Sequence, residues 1–147
     1  MIADPSALPF EIPARDALGR EHVEGQLVAA EEALQFFWRF RQRTFKASGQ
    51  EMQMVAIEYG NVENLELRTT LFRFNPRLLL ELTDPRPLAG VPGIRVGTAA
   101  LMLTGRKVVE EARSFIKLVE FRKSEAAVKA SIGRMSSLGR DGGSAAD

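Results

Sequence analysis

The chain of 147 residues contains no cysteine and a single histidine, His22. Without cysteine the chain forms no disulfide bond and has neither a thiol nucleophile nor a cysteine-ligated zinc site. No apolar run approaches the roughly 18 residues that a membrane-spanning helix needs. No basic start followed by an apolar core, the pattern of a signal peptide, opens the chain. These absences predict a cytoplasmic protein without a transmembrane segment.

Motifs of catalytic or metal-binding chemistry are also missing. The sequence has no G-x-S-x-G, no H-E-x-x-H and no D-x-D calcium loop. His22 is expected at the surface, away from any catalytic partner. Glu31 and Glu32 are adjacent, and neighbours on a strand or helix point in different directions, so this pair forms no acid/base dyad by itself. We therefore expect a protein that is not an enzyme and that needs no cofactor or metal.

Neither sign of charge is in excess, since 20 basic residues face 19 acidic ones and the net charge is +1. General attraction to nucleic acid or to a membrane surface is thus not built into the whole molecule. Arg39, Arg41 and Arg43 alternate with aromatic residues, and on a strand the two sets occupy opposite faces. Base stacking and phosphate contact would then need opposite sides of one strand. Nucleic acid is not an expected partner.

The first 22 residues carry three prolines at a spacing of four. Proline fixes its own φ and pushes the preceding residue out of the helical region, so residues 1–22 are predicted to form an extended arm outside the domain. Such a chain end is expected to be loosely ordered. Within it, Phe10 and Ile12 alternate with Glu11, which leaves the alternative that residues 8–12 dock along a surface.

Residues 24–45 can be drawn either as a helix or as two strands joined by a turn at Glu31 and Glu32. The second half of this segment favours strand. Its apolar residues recur at every second position, which suits a half-buried strand: Leu34, Phe36, Trp38 and Phe40. We predict strands at 26–30 and 34–45, with helix as the alternative.

Further short strands are predicted where apolar runs are bounded by turn residues: 52–59, 62–68, 71–74, 78–82 and 99–103. Residues 84–98 hold three prolines and three glycines in fifteen positions and are therefore predicted to form a loop. Long loops of this kind often carry binding function. About seven short strands with turns between them indicate an antiparallel barrel or sandwich.

Residues 105–138 form the one long segment with helical periodicity, and they contain no proline. At about 100° per residue, one apolar stripe consists of Val108, Val109, Ala112, Phe115, Ile116 and Val119. A second stripe lies on nearly the opposite side and consists of Leu118, Phe121, Val128, Ile132 and Met135. The first stripe is expected to close the β-structure. Residues 139–147 are small and polar and are expected to be disordered.

The second stripe has two possible fates. The helix either bends near residues 122–124, where Ser124 can cap a new segment, or continues straight for roughly 50 Å and projects from the domain. In the first case the stripe folds back on the domain. In the second case it pairs with another subunit or with a partner groove. We expect protein binding, with homo-oligomerisation through this stripe.

A run of antiparallel strands closed by one amphipathic helix resembles the pleckstrin-homology (PH) architecture, over roughly residues 24–119. The chain is most similar to bacterial PH-like domains in the phrase IEYGNVENLEL at 57–67, the leucine-rich strand after it, and the LAGVPG loop at 88–93. The resemblance implies a PH-like domain at 23–138. It also implies a mainly β fold, a partly open antiparallel barrel of about seven strands capped by a long C-terminal helix. If residues 24–45 are helical instead, an α+β domain with two helices is the alternative.

The PH subset that binds phosphoinositides places a basic R-x-R on its second strand, which Arg39-Phe40-Arg41 matches. The first strand lacks the lysine of that subset. The turn at Glu31 and Glu32 would repel a phosphate. PH helices usually carry a tryptophan, and here Phe115 would fill that space.

The alternative function is recognition of a phospholipid headgroup or a peptide. The contacts would come from Arg39, Arg41 and the 84–98 loop, in which Arg86 and Arg95 supply positive charge. Because the basic lysine of the first strand is missing, this alternative stands behind self-association through the helix.

Overall fold

The computed structural model describes residues 6–13, 22–40, 52–69, 76–105 and 107–145. Seven antiparallel strands precede one helix: β1 Ala7–Ile12, β2 Val23–Ala29, β3 Ala33–Phe40, β4 Gln53–Glu58, β5 Val62–Arg68, β6 Arg77–Leu82, β7 Thr98–Met102 and α1 Val108–Ala145. The strands form one sheet in the order β4-β3-β2-β1-β7-β6-β5, which is not closed because β4 and β5 are its two edges. The predicted class, mainly β with a C-terminal helix, is confirmed.

Residues 24–40 form two strands, β2 and β3, joined by a turn at Glu31 and Glu32, and the helical alternative is wrong. Leu34 and Phe36 of β3 are fully buried, whereas Arg39 is exposed and Phe37 lies on the outer side. This alternation of period two matches a strand with one face on the core. Residues 41–45 of the predicted strand, and the predicted strand at 71–74, lie outside the described residues.

The strands from β4 to β7 begin and end within one residue of their predicted limits, where the prediction falls on described residues. Their apolar and turn patterns are local signals, so no knowledge of distant contacts was needed. The predicted loop at 84–98 also holds, with a single 3-10 turn at Arg86–Leu88. Leu88 and Val91 of this loop are buried, so the loop contributes to the core instead of lying free on the surface.

The main correction concerns the predicted N-terminal arm. Ala7–Ile12 is extended, as expected, but it forms β1 in the middle of the sheet, paired with β2 along its whole length. Leu8, Phe10 and Ile12 are buried in the core. The burial of three large apolar side chains outweighs the usual looseness of a chain end.

Proline in a central strand needs a reason, because it cannot donate to the ladder. The Ser6 carbonyl accepts a hydrogen bond from the Ala29 amide. Hydrogen-bonded and non-hydrogen-bonded pairs alternate along an antiparallel ladder, so Pro9 and its partner Gln26 form a non-hydrogen-bonded pair. The Pro9 nitrogen therefore points toward β7. Among the described residues, one pair joins β1 to β7, namely Glu11 with Met102. Pro9 lies outside this pair, so its missing amide hydrogen removes no hydrogen bond from the sheet.

The helix packs against the sheet through its first apolar stripe. Val108, Ala112, Phe115 and Val119 are buried in the same core as the strands. The spacing of four, three and four places them on one face of the helix. α1 contacts β1, β2, β5 and the 3-10 turn Tyr59–Asn61, so it covers residues from both halves of the sheet.

α1 is one continuous helix of 38 residues, about 57 Å long. The alternative of a bend near residues 122–124 is wrong: Ser124 is an exposed residue in the interior of α1. The predicted end of the helix at Leu138 is also wrong, because α1 continues to Ala145. The predicted disorder of 139–147 is therefore wrong for residues 139–145. No proline follows Pro92 in the sequence to stop a helix. Glycine lowers helix stability by only about 1 kcal/mol per residue.

Candidate interaction surface

α1 leaves the sheet after Ala126. Ala126 is partly buried and packs against the core. Every side chain from Ala127 to Arg134 is exposed, although the backbone stays helical. The helix therefore projects beyond the body of the domain, as one of the two sequence-based alternatives predicted.

Close to this point, α1 contacts the 3-10 turn that begins at Tyr59. The buried Tyr59 hydroxyl donates a hydrogen bond to the Ala30 carbonyl, which joins the β4–β5 connection to the end of β2. Arg122 of the helix donates from Nη1 to Glu125 Oε1 at 3.2 Å. Burial raises the pKa of Tyr59 above its ordinary value, while the positive charge of Arg122 acts in the opposite direction.

Replacing Tyr59 with phenylalanine tests this junction. At neutral pH we expect the free energy of unfolding to fall by about 0.5–1.5 kcal/mol, because the Ala30 carbonyl loses its donor. The pKa of Tyr59 is raised by folding, so its contribution to stability is complete below the unfolded-state value of 10.0 and is lost as the pH rises through the folded-state value. Urea unfolding of both proteins at several pH values from 7 to 11 should show their difference shrinking above pH 10. A difference that stays constant would contradict this assignment.

Three large apolar side chains are exposed on the projecting helix. Phe121, Val128 and Ile132 are 58%, 56% and 61% exposed. Their spacing of seven and four residues places them on one side, nearly opposite the buried stripe. We call these three residues the distal stripe. Of the other two predicted members, Leu118 is partly buried against the core, and Met135 lies outside the residues whose side chains the structure describes.

Most charged neighbours of the distal stripe are basic, although the exposed Glu120 directly precedes Phe121. Lys117 lies one turn before Phe121, and Lys129 directly follows Val128. Glu125 lies between Phe121 and Val128 on the same side, but Arg122 already holds its carboxylate. Between Ala127 and Arg134 the charged residues are Lys129 and Arg134. The stripe is therefore apolar with positive charge beside it.

A second surface, which sequence analysis missed, is the outer face of the four strands β1 to β4. One row across these strands consists of Ala7, Val28, Gln35 and Ala56. The next row consists of Pro9, Gln26, Phe37 and Met54. None of these eight residues is charged. We call the two rows the outer face. It could not be recognised without knowing that β1 belongs to the sheet.

The outer face has an apolar corner at the edge strand β4. Met54 lies directly opposite Phe37 and is 50% exposed. Met52, just before β4, is also exposed. Methionine adapts its shape to many partners, so a methionine-rich patch is suited to binding an apolar side-chain stripe.

Acidic residues lie around the outer face. Glu58 ends β4 on the same side as Met54 and is exposed. Glu31 and Glu32 are exposed in the adjacent turn between β2 and β3. At the other end Glu24 accepts a hydrogen bond from Arg39 at 2.8 Å. The surroundings of the outer face are therefore mainly negative.

Among the described arginines of the alternative lipid or peptide site, Arg39 and Arg86 are engaged in ion pairs. Arg39 lies on β3 and is paired with Glu24. Arg86 lies in the loop after β6 and is paired with Asp84 at 2.6 Å. The hydrogen bonds from Arg86 hold the pKa of Asp84 below its usual range. Arg95 is exposed, and Arg41 lies outside the described residues. Two of these guanidinium groups thus already have carboxylate partners.

His22 is less exposed than expected. Its side chain is only 14% exposed, and its Nε2 lies 3.7 Å from Glu11 Oε1. The prediction of a surface position is wrong because residue 22 leads directly into β2, beside β1, whose place in the sheet was not foreseen. No cluster of three or more metal-binding side chains occurs in the part of the chain that the structure describes.

Comparisons of the chain with protein-family models, with curated proteins and with solved structures give no match. The class of the fold is therefore described from its architecture alone. It is an open seven-stranded antiparallel sheet with one long C-terminal helix. Among the described residues, no helix combines the length and the apolar character that crossing a membrane requires.

Proposed function

We propose that this protein is a PH-like binding and assembly module without enzymatic activity, and that it self-associates through the distal stripe. The observation that carries the proposal is the exposure of Phe121, Val128 and Ile132 along one side of a continuous helix, with Val128 and Ile132 beyond its last contact with the sheet. Exposed apolar surface of this kind marks association sites on proteins that are otherwise folded.

The strand order supports the PH-like part of the proposal. The order β4-β3-β2-β1-β7-β6-β5 consists of two meanders, β1 to β4 and β5 to β7, that meet between β1 and β7. The PH resemblance implies two sheets with a helix closing one opening. α1 contacts both meanders through β1, β2 and β5, as a closing helix does.

The size of the distal stripe limits the affinity that it can supply. Fully burying a Phe, Val or Ile side chain is worth about 1.5–3 kcal/mol. Because slightly more than half of each side chain is still exposed, the three residues of the stripe can together supply about 3–5 kcal/mol. A dissociation constant of 1 μM corresponds to about 8 kcal/mol. We therefore expect an interface that uses the stripe twice, or that adds a further surface.

Substitution of the distal stripe tests the proposal. In the variant Phe121→Ser/Val128→Ser/Ile132→Ser we expect a monomer at concentrations at which the unsubstituted protein associates. The matched control is Ala127→Ser/Ala130→Ser, which changes two exposed residues on other sides of the same helix and should associate normally. Sedimentation velocity over a range of concentrations measures the outcome.

Two results would contradict the proposal. One is an unsubstituted protein that stays monomeric over the whole concentration range. The other is a stripe variant that associates as tightly as the unsubstituted protein. Far-ultraviolet circular dichroism of each variant verifies that α1 is retained.

A further inference from the structure

The charges beside the distal stripe disfavour pairing with the same stripe of a second copy. With Phe121, Glu125, Val128 and Ile132 along a helix–helix seam, the residues flanking the seam are basic or neutral. In a parallel pair Lys117 of one copy would lie against Arg122 of the other. In an antiparallel pair Arg122 and Lys129 would lie against the same residues of the second copy. Both arrangements bring basic side chains together, and the ion pair of Arg122 with Glu125 offsets part of that repulsion.

The outer face has the complementary properties. Its eight residues are uncharged, and the exposed Glu58 follows the row of Ala56, four residues along β4 from Met54 in the apolar corner. Glu31 and Glu32 extend the acidic rim at the same end of β2 and β3. The distal stripe is apolar with mostly basic neighbours, and the outer face is uncharged with mostly acidic neighbours. The two surfaces are therefore complementary in charge.

The dimensions of the two surfaces also agree. Phe121 and Ile132 are eleven residues apart, about 16 Å along a helix. The four strands of the outer face span three strand spacings, about 14 Å in all. The stripe can therefore cross the face from β1 to the edge strand β4.

We propose that the distal stripe of one copy docks on the outer face of a second copy, and that the second copy returns the same contact. The inference rests on the proposed self-association and names its receptor surface. The two contacts are related by a twofold axis, so the assembly closes as a dimer and does not grow into a filament. Each dimer then contains the stripe twice, as the limited size of one stripe requires.

Lysines placed on the outer face test the inference. In the variant Gln26→Lys/Met54→Lys we expect self-association to weaken about tenfold or more, because an apolar contact is lost and like charges meet. Both positions are exposed, so the fold should tolerate them. The matched control is Asn64→Lys/Ala100→Lys, which adds the same charge at exposed positions of β5 and β7 and should associate normally. Urea unfolding verifies that both variants are folded.

Mixing two variants gives a second readout. The stripe variant Phe121→Ser/Val128→Ser/Ile132→Ser keeps an intact outer face, and the face variant Gln26→Lys/Met54→Lys keeps an intact stripe. The mixed pair keeps one of the two contacts, whereas two copies of either variant keep neither. With a donor fluorophore on one variant and an acceptor on the other, we expect energy transfer to begin at a lower concentration in the mixture than within either variant alone, and at a higher concentration than in the unsubstituted protein. Energy transfer in the mixture that never exceeds the transfer within either variant would overturn the inference.

The outcomes separate the inference from the proposed function. If the face variant associates as tightly as the unsubstituted protein while the stripe variant is monomeric, the inference is wrong and self-association through the stripe stands, by helix–helix pairing. If the stripe variant also associates normally, the proposed function is wrong and the inference falls with it.

Discussion

Replacing Phe115 with alanine is expected to lower the free energy of unfolding by about 3–5 kcal/mol. Phe115 is 0% exposed and lies in the core between the helix and the sheet. Removing its ring leaves a cavity that the surrounding strands can fill only in part. Urea denaturation followed by the fluorescence of Trp38, the only tryptophan in the chain, measures the loss.

The control for this prediction lies on the same helix. Phe121 is six residues further along and mostly exposed, so Phe121→Ala should change the unfolding free energy by less than about 0.5 kcal/mol. Both variants are measured at a concentration at which the protein is monomeric, because Phe121 also belongs to the distal stripe. Equal losses in the two variants would show that α1 does not pack as described.

Replacing Gly25 with alanine is expected to cost about 3 kcal/mol of unfolding free energy. A methyl group there would lie 2.0 Å from the Phe37 carbonyl oxygen and 2.6 Å from Cζ of Phe10. The first contact is with backbone, which cannot swing away. The absence of a side chain at Gly25 thus makes room for the Phe10 ring, which packs on Phe36 with ring centroids 4.9 Å apart.

A second glycine provides the comparison. Nothing lies within 4 Å of a methyl group built on Gly60. Gly60→Ala should therefore leave the protein as stable as before or slightly more stable, since alanine restricts the unfolded chain. Urea unfolding of the two variants side by side decides the matter. A Gly25→Ala protein as stable as Gly60→Ala would contradict the close packing at β2.

The packed core and the proposed interface use different parts of α1. The first half of α1 holds Phe115 and Val119 in the core, where substitution should act on stability. The second half carries the distal stripe, where substitution should act on association. Because the two functions lie on different residues, unfolding and sedimentation measurements can separate them.

Much of the fold could be predicted because its signals are local. Alternation in 34–40 predicted β3, and the leucine run at 78–82 predicted β6 almost to the residue. The two stripes of the helix could likewise be predicted from a period of 3.6 residues. Which residues of the second stripe are exposed could not be predicted, because Leu118 and Phe121 are both large apolar residues on the same side of the helix. Only the position of the sheet decides that Leu118 is partly covered and Phe121 is not.

The sequence by itself therefore determined the class of the fold, the limits of most strands and the two-sided character of the helix. The tertiary structure decided that Ala7–Ile12 is the middle strand, that α1 leaves the sheet after Ala126, and that an uncharged outer face exists across β1 to β4. The physical reason is the range of the interactions. Side-chain periodicity acts between neighbours along the chain, whereas the pairing of β1 with β2 and β7 joins residues far apart in sequence.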